Sequence, residues 1–494
     1  MKVALKMLGG SSLLGSAEVI NNGCAFLRNI ILARLLSKED FGIAATLALV
    51  VSLFELTGKM SFGQQVIQSK TGDNPEFLET TQALQALTGL LDAALIVILC
   101  YPLARCFGMQ DHLGALMLMA IIPLCAAFAS LENYRLSKHM KFLPLVMTDT
   151  VPQVVITLAA WPVAAWLRDY RAIVSLLLLK AVFSLVTSHL VAERTYGLCW
   201  EARLVRQNLR FGWPLVVSGF LLFGIFQGDR ALVAGAYSLS DLGVYAVAST
   251  LAMTPCFAIF KIFGTVGLPI FAGAQNDPVR FRRYYALFHQ GLAAYGAVFI
   301  VGMILGGEML ITLLFGAKYR DAGSLAAWLT IGQAFRILRG APNCAALALG
   351  DTVNTLSANL WRLSGLALAV PIVLFKLDLC WVAIAGGIGE ALALSASLVR
   401  LRRKQGLPAR DCLYPAGLMV ALALAAFGAR EASSAIRPTS TLALAVLGCA
   451  ISLAVFSTAF SDLRRASVSL LSAVALRARN ILKIGGISGV PADV

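Results

Sequence analysis

Basic side chains recur inside long apolar stretches of this chain, where a charged group is unfavourable. An Arg or Lys at the centre of a membrane helix costs about 2.5–3.5 kcal/mol on insertion scales, so such residues need a cavity or a partner. Guanidinium groups bind phosphate oxygens through paired hydrogen bonds. Arg336 and Arg339 lie three residues apart and therefore share a helix face. The candidate substrate-binding residues are Arg336, Arg339, Arg362, Lys180, Arg28 and Arg230.

Acidic residues are fewer in the same stretches. The candidates for carrying a coupling ion are Glu55, Glu390 and Asp229. Asp229 directly precedes Arg230, and a local ion pair between these two neighbours is the alternative interpretation. An excess of basic groups predicts a cavity for a phosphate-bearing or otherwise acidic cargo, whereas an exporter of organic cations needs the opposite sign.

Motifs for enzymatic chemistry are not evident in the sequence. There is no Gly-x4-Gly-Lys-Ser/Thr loop for ATP phosphates, the four histidines are isolated, and the ten cysteines follow no zinc or disulfide spacing. We therefore expect a protein that is not an enzyme and holds no metal or cofactor, with an H⁺ or Na⁺ gradient as the energy source. The net charge of +15 comes from short basic runs at the ends of apolar segments, which argues against nucleic-acid binding.

Composition indicates a membrane protein. Hydrophobic residues make up 59% of the chain and charged residues 14%, and mean hydropathy is +0.78. Since a helix needs about 20 apolar residues to cross the hydrocarbon, the sequence predicts an all-α polytopic membrane protein with about fourteen transmembrane helices, or twelve if a pair is merged or dropped. They are residues 11–33, 41–62, 78–101, 113–134, 145–167, 172–193, 212–234, 242–265, 288–314, 322–349, 353–375, 379–399, 412–429 and 439–460.

The loops between these segments differ strongly in basic content. Arg280, Arg282 and Arg283 fall on the same predicted side as the run 400–404, and that side carries most of the Lys and Arg residues. Under the positive-inside rule, this bias places both termini in the cytoplasm.

An internal repeat organises the chain. Residues 28–42 recur as residues 229–243, and each copy contains a Ser three positions before an Asp, the capping box that opens a helix. Duplicated helical units are typical of transporters built around a central site. The predicted divisions are a six-helix lobe at 1–195, a linker resembling a surface helix at 196–211, a second six-helix lobe at 212–400, two extra helices at 401–461, and an amphipathic or disordered cytoplasmic tail at 462–494.

Three motifs carry a resemblance to a known family. They are Ile30-Ile-Leu-Ala-Arg-Leu-Leu-Ser-Lys-Glu-Asp-Phe-Gly42, Leu131-Glu-Asn-Tyr-Arg-Leu-Ser-Lys-His-Met-Lys-Phe142, and Asp229-Arg230 followed by Asp241-Leu-Gly-Val-Tyr245. In this order and spacing the chain resembles the polysaccharide-export flippases of the multidrug/oligosaccharidyl-lipid/polysaccharide superfamily. It departs from the family pattern at Gly228, where an Asn or an aromatic residue is usual.

The resemblance implies a MATE-like fold of two six-helix repeats plus a C-terminal helix pair, in the bacterial inner membrane. It implies a flippase that moves a polyprenyl-pyrophosphate-linked oligosaccharide to the periplasmic leaflet by alternating access, for O-antigen, capsule or exopolysaccharide assembly. Expected partners are this lipid-linked oligosaccharide, membrane lipids, a polysaccharide polymerase and glycosyltransferases. The alternatives are a multidrug exporter of the same superfamily, a lipid II flippase and an assembly scaffold.

Overall fold

The computed structural model describes residues 2–58, 62–432, 438–465 and 467. Every regular element within these ranges is helical, with single turns of 3-10 helix at Gln110–His112 and Ala317–Tyr319, which confirms the all-α prediction. The α-helices of the described ranges are α1 (Lys2–Leu35), α2 (Lys38–Gly58), α3 (Phe62–Gln68), α4 (Pro75–Cys106), α5 (Leu113–Leu118), α6 (Ile121–Ala127), α7 (Glu132–Lys138), α8 (Leu143–Leu167), α9 (Arg171–Leu190), α10 (Ala202–Ala236), α11 (Leu239–Ala272), α12 (Pro278–Phe315), α13 (Ala322–Leu338), α14 (Gly340–Ala348), α15 (Thr352–Leu374), α16 (Leu379–Gln405), α17 (Arg410–Ala432) and α18 (Pro438–Ala459).

Each of the fourteen predicted segments overlaps helix in the structure. Among the described residues, 11 helices are long and apolar enough to cross a membrane. The chain is thus a multi-pass membrane protein, and the count of fourteen spans stays a prediction. The tail beyond Ser467 lies outside the described residues, so its predicted character stays a prediction as well.

Two predicted spans, 113–134 and 322–349, are not continuous helices. The first is divided into α5, α6 and the start of α7, and the second into α13 and α14. Pro123 has no N–H to donate to the carbonyl of Met119, which follows the end of α5. Pro342 likewise has none for Leu338, the last residue of α13. Each break thus coincides with a missing hydrogen bond at a proline, although prolines inside α8, α10 and α15 leave those helices continuous.

The linker at 196–211 also differs from its prediction as a separate surface helix. α10 begins at Ala202 and continues through Pro214 to Ala236, so the basic residues at its start belong to the same helix that enters the membrane. In this way the linker residues prolong a transmembrane helix.

The two copies of the repeat open α2 and α11 with the predicted capping boxes. The Asp40 backbone N–H donates to Ser37 Oγ at 3.0 Å, and the Ser37 N–H donates to Asp40 Oδ2 at 3.4 Å. In the second copy, the Asp241 N–H donates to Ser238 Oγ at 3.1 Å, and the return bond measures 3.3 Å. Both helix starts therefore have the geometry that the sequence predicts.

The repeats also meet each other at these helix starts. A Cβ placed on Gly42 would lie 1.7 Å from the Leu239 carbonyl oxygen, and one on Gly243 would lie 2.1 Å from the Lys38 carbonyl oxygen. The same Cβ positions would lie 3.2 and 3.3 Å from the backbone nitrogens of Gly243 and Gly42, respectively. Only glycine at both positions permits this close crossing of α2 and α11.

The chain divides into two compact units. The first unit comprises residues 1–258, 308–332 and 359–390, and the second comprises residues 259–307, 333–358 and 391–494. In the first unit, α8 packs against α1 and α9, α4 packs against α6, and α10 packs against α2 and α4.

Glycines set helix packing in both units, within Gly224-xxx-Gly228 of α10 and Gly302-xxx-Gly306 of α12. In the first unit, a Cβ on Gly228 of α10 would lie 2.9 Å from the Leu366 side chain of α15. In the second unit, a Cβ on Gly306 of α12 would lie 3.0 Å from Ala445 Cβ of α18, and one on Gly302 would lie 3.3 Å from Cys449 Sγ. Missing side chains let these helices approach closely.

Candidate functional site

A cavity of about 180 Å³ lies inside the first unit, lined by residues of α1, α2, α9, α10 and α11. Most of its lining is apolar, including Leu, Ile, Phe and Ala side chains. The polar side chains that face it are Arg28, Asn29, Gln227, Arg230 and Thr250. A mostly apolar pocket with a few convergent polar groups is the usual form of a ligand site.

Arg28 and Arg230 bring one guanidinium each from the two copies of the repeat. Arg28 Nη2 lies 3.4 Å from Asn29 Oδ1, and Arg230 Nη1 lies 3.5 Å from Gln227 Oε1. Both contacts are at the outer limit of a hydrogen bond. Arg230 Nε is a buried donor with no hydrogen-bond partner in the described structure. Two predicted binding residues therefore meet in one cavity with weakly engaged guanidinium groups.

Asp229 does not form the local ion pair with Arg230 that was the alternative interpretation. Its Oδ2 accepts a 2.6 Å hydrogen bond from the Tyr245 hydroxyl, and its Oδ1 accepts the Arg230 backbone N–H at 2.8 Å. Tyr245 is 1% exposed. The carboxylate is thus held between α10 and α11. Asp229 directly precedes the cavity residue Arg230, but its hydrogen bonds go to the Tyr245 hydroxyl and to a backbone N–H.

Arg362 and Glu390 form a close ion pair within the first unit, with side chains 6% and 5% exposed. The Arg362 guanidinium also lies 4.7 Å from the centroid of the Phe226 ring, in a cation–π contact with α10. A predicted binding residue and a predicted ion carrier are therefore partners of each other in this state.

Lys180 lies at the middle of α9 and is solvent-accessible. It interacts electrostatically with Arg28, Glu55 and Asp149, which belong to α1, α2 and α8. Its charged neighbours thus come from three other helices. This group contains two basic and two acidic residues, so the positive charges of Lys180 and Arg28 lie near carboxyl groups.

Arg336 and Arg339 belong to the second unit. They are 6% and 7% exposed, and Arg339 stands at the break between α13 and α14. The break thus lies beside an intramembrane arginine. The structure brings together Arg28 with Arg230 and Arg362 with Glu390, and it places Lys180 within electrostatic range of Glu55.

Four polar residues of these clusters were not predicted: Asn29, Gln227, Thr250 and Asp149. An acid well inside an apolar segment was the available signal for Asp149. The two amides and the threonine give no such signal, because neutral polar residues are common in membrane helices and their direction depends on packing.

A charge network lies outside the membrane-spanning segments of the first unit. Asp73 accepts from His139 Nε2 at 2.6 Å and from Lys138 Nζ at 2.9 Å, and these hydrogen bonds lower the pKa of its carboxyl to about 2. Lys141 Nζ donates to Glu193 at 2.6 Å, which lowers the pKa of that carboxyl. The network ties α7 to the segments before α4 and after α9.

The described helices and the internal cavity define a multi-pass, all-helical membrane protein with basic side chains in a pocket. The chain belongs to the family described as "Polysaccharide biosynthesis protein", whose model matches residues 31–324. This result agrees with the resemblance drawn from the three motifs.

Curated relatives carry related descriptions. The chain is 23% identical over 305 residues to the teichuronic acid biosynthesis protein TuaB of Bacillus subtilis (strain 168), covering 59% of this chain and 60% of that protein. It is 22% identical over 331 residues to the lipopolysaccharide biosynthesis protein WzxC of Escherichia coli (strain K12), covering 65% of each. The matches therefore span less than two thirds of these relatives.

Two solved structures share the fold. The inward closed conformation of the lipid II flippase MurJ superposes with a TM-score of 0.67 at 13% identity, covering 91% of this chain and 99% of that one. An inward-facing multidrug resistance MATE family transporter of the MOP superfamily gives 0.61 at 13% identity, covering 78% and 94%. The predicted MATE-like architecture is thereby confirmed, and both structures are transport proteins.

Proposed function

We propose that the chain is a flippase that moves a polyprenyl-pyrophosphate-linked oligosaccharide across the bacterial inner membrane for surface polysaccharide assembly. The observation that carries the proposal is the cavity in which Arg28 and Arg230 converge without a carboxylate partner among the described residues. One guanidinium from each repeat matches a pyrophosphate, which presents one phosphate group to each.

The physical problem of such a transporter is the passage of a charged, hydrated headgroup through hydrocarbon. A cavity of about 180 Å³ is well above the ~10–15 Å³ that a single water needs, so it can hold a hydrated polar group away from lipid. Partly buried arginines replace lost hydration with charge-assisted hydrogen bonds, while the lipid tail stays in the bilayer. The family and the named biosynthetic roles of the relatives support this cargo class.

Alternating access supplies the transport step in this proposal. In this proposal, the close crossing of α2 and α11 at Gly42 and Gly243 is the closed end of the pathway in the present state. The positive-inside bias puts this closed end on the periplasmic side, with both termini in the cytoplasm. Rocking of the repeats would open this crossing and release the headgroup to the periplasm.

The remaining predicted residues take later roles in the same proposal. Arg336, Arg339 and Lys180 would receive the headgroup in states other than this one, and Arg362 would join them once its pairing with Glu390 loosens. Glu55, Glu390 and Asp229 remain the candidates for coupling to an H⁺ or Na⁺ gradient. Unimpaired transport by a variant carrying both Arg336→Ala and Arg339→Ala would remove those two residues from the proposal.

We propose that a polysaccharide polymerase and glycosyltransferases dock on the basic cytoplasmic loops. Finished lipid-linked oligosaccharides would reach this flippase by that route. These loops sit at the ends of transmembrane helices, where a soluble or membrane enzyme can reach them. Transport variants in the cavity should leave such docking intact.

The test compares lipid-linked saccharides in cells lacking the protein with those in cells that express variants of it. Deletion should cause pyrophosphate-linked repeat units to accumulate while surface polysaccharide disappears. Arg28→Gln and Arg230→Gln should each weaken headgroup binding about tenfold to a hundredfold, since hydrogen bonds to charged groups contribute about 1.5–3 kcal/mol. Arg171→Gln, which changes an exposed arginine at the start of α9, is the matched control.

Two results would contradict the proposal. Unchanged lipid-linked saccharides in the deletion strain, together with retention of cationic dyes, would indicate a drug exporter. Normal polysaccharide export by the double variant of Arg28 and Arg230 would separate the cavity from transport.

A further inference from the structure

A buried tyrosine donates a hydrogen bond to the acidic residue that precedes Arg230. Tyr245 on α11 is 1% exposed, and its hydroxyl donates to Asp229 Oδ2 at 2.6 Å. This short O–H···O contact is a charge-assisted hydrogen bond, the stronger class of such bonds. The other carboxylate oxygen accepts the backbone N–H of Arg230 at 2.8 Å. Both oxygens of Asp229 are therefore occupied by neutral donors.

The guanidinium of Arg230 is left for the cavity as a result. It is adjacent in sequence to a carboxylate, yet its side-chain contacts are Gln227 Oε1 at 3.5 Å and Met253 Sδ at 3.9 Å. Its Nε has no hydrogen-bond partner in the described part of the chain. An arginine with a buried, unsatisfied donor and a place in a cavity wall is poised to bind an anion.

The alternative arrangement is electrostatically accessible and harmful to anion binding. A carboxylate released from Tyr245 would be drawn to the neighbouring guanidinium, since opposite charges attract strongly where water is scarce. Such a pair would be neutral, and its guanidinium hydrogen bonds would already be used. An incoming phosphate would have to displace Asp229 first.

We propose that Tyr245 is a positioning residue that holds Asp229 away from Arg230 and thereby keeps the cavity cationic. This inference rests on the proposed function, because it assigns a reason for the anion affinity of the same site. It also gives Asp229 a role distinct from carrying a coupling ion: Asp229 is the acidic group that Tyr245 holds by its hydrogen bond.

The direct test measures binding of a polyprenyl pyrophosphate to the full-length protein in lipid nanodiscs, with the corresponding polyprenyl alcohol as the uncharged comparison. Tyr245→Phe removes only the hydroxyl and should weaken pyrophosphate binding about tenfold or more, with no change for the alcohol. Adding Asp229→Asn should restore affinity to within about twofold, because a neutral amide cannot neutralise Arg230.

Three controls separate positioning from a general structural effect. Tyr319→Phe removes another buried tyrosine hydroxyl in the first unit, one without a hydrogen-bond partner, and should leave affinity unchanged. Asp229→Asn alone, which keeps an acceptor for the Tyr245 hydroxyl and removes the carboxylate, supplies the reference affinity for the rescued variant. In an Arg230→Gln background, Tyr245→Phe should cause no further loss, since the guanidinium that it protects is absent.

The outcomes distinguish this inference from the proposed function. If Arg230→Gln weakens pyrophosphate binding but Tyr245→Phe does not, the inference is wrong and the binding site stands. If Asp229→Asn fails to rescue Tyr245→Phe, or the loss persists equally in the Arg230→Gln background, the tyrosine acts on folding alone and the inference is again wrong. If Arg28→Gln and Arg230→Gln both bind normally, the proposed site itself fails.

A second comparison applies if Tyr245→Phe does not fold. The variant with both Tyr245→Phe and Asp229→Asn carries a neutral amide at position 229, so the lost hydroxyl leaves no carboxylate without a donor. This variant is compared with Asp229→Asn alone. The inference requires equal pyrophosphate affinity in the two proteins, and weaker binding by the double variant would overturn it.

Discussion

Replacing Gly42 by alanine should force α2 and α11 apart. The new Cβ would lie 1.7 Å from the Leu239 carbonyl oxygen, and real Cβ atoms essentially never approach closer than 3.0 Å, so the backbones must separate by at least 1.3 Å. The obstructing atom belongs to the backbone and cannot rotate away. Overpacking of this kind typically costs 1–3 kcal/mol of unfolding free energy.

The assay pairs Gly42→Ala with Gly23→Ala. Both glycines lie inside helices, so the intrinsic gain of roughly 1 kcal/mol from alanine applies to both, but a Cβ on Gly23 meets nothing within 4 Å. Denaturant unfolding in micelles should show the first variant destabilised relative to the second. In the proposed alternating-access cycle this crossing must close, so Gly42→Ala should also abolish polysaccharide export while Gly23→Ala supports it. Equal stability and equal export in the two variants would refute the reasoning.

The ion pairs inside and outside the membrane give two further expectations. Arg362→Leu removes the guanidinium that Glu390 binds, and the free energy of unfolding should fall by about 3–5 kcal/mol in urea titrations. Replacing both residues by leucine should recover most of that loss, whereas an unaltered single variant would contradict the pairing. The Asp73 carboxyl has its pKa lowered from 3.8 to about 2, so its contribution to stability is complete above pH 3.8 and disappears as the pH falls towards 2. Asp73→Asn should flatten the melting-temperature profile in that window, and an equally steep profile would disprove the assignment.

Local structure was predictable from the sequence wherever neighbouring residues determine it. Ser37 with Asp40 and Ser238 with Asp241 form capping boxes because each pair is three residues apart, whatever the rest of the chain does. The apolar segments become helices because a membrane leaves no other way to satisfy the backbone. The breaks after α5 and α13 were not predictable from their prolines alone, because Pro214 and Pro371 also remove one hydrogen bond and lie inside continuous helices.

Side-chain partners over long sequence separations were not predictable. Arg362 was expected to face a cavity, but it pairs with Glu390, and this depends on how α15 and α16 are rotated against each other. Asp229 was expected to contact Arg230 or an ion, but it accepts from Tyr245, which is aimed at it by the packing of α11 on α10. Helical periodicity gives the face of each residue and leaves open which neighbour that face meets.

The crossing of Gly42 and Gly243 bears on the history of the chain. After a duplication, the two copies of a segment normally diverge until their sequences are no longer detectably similar. Most of this chain has diverged in that way. Here each copy became the surface against which the other is packed, so a side chain added to either glycine strikes the opposite backbone. A substitution at either glycine therefore disturbs the other copy. The similarity between the two copies persists where they contact each other.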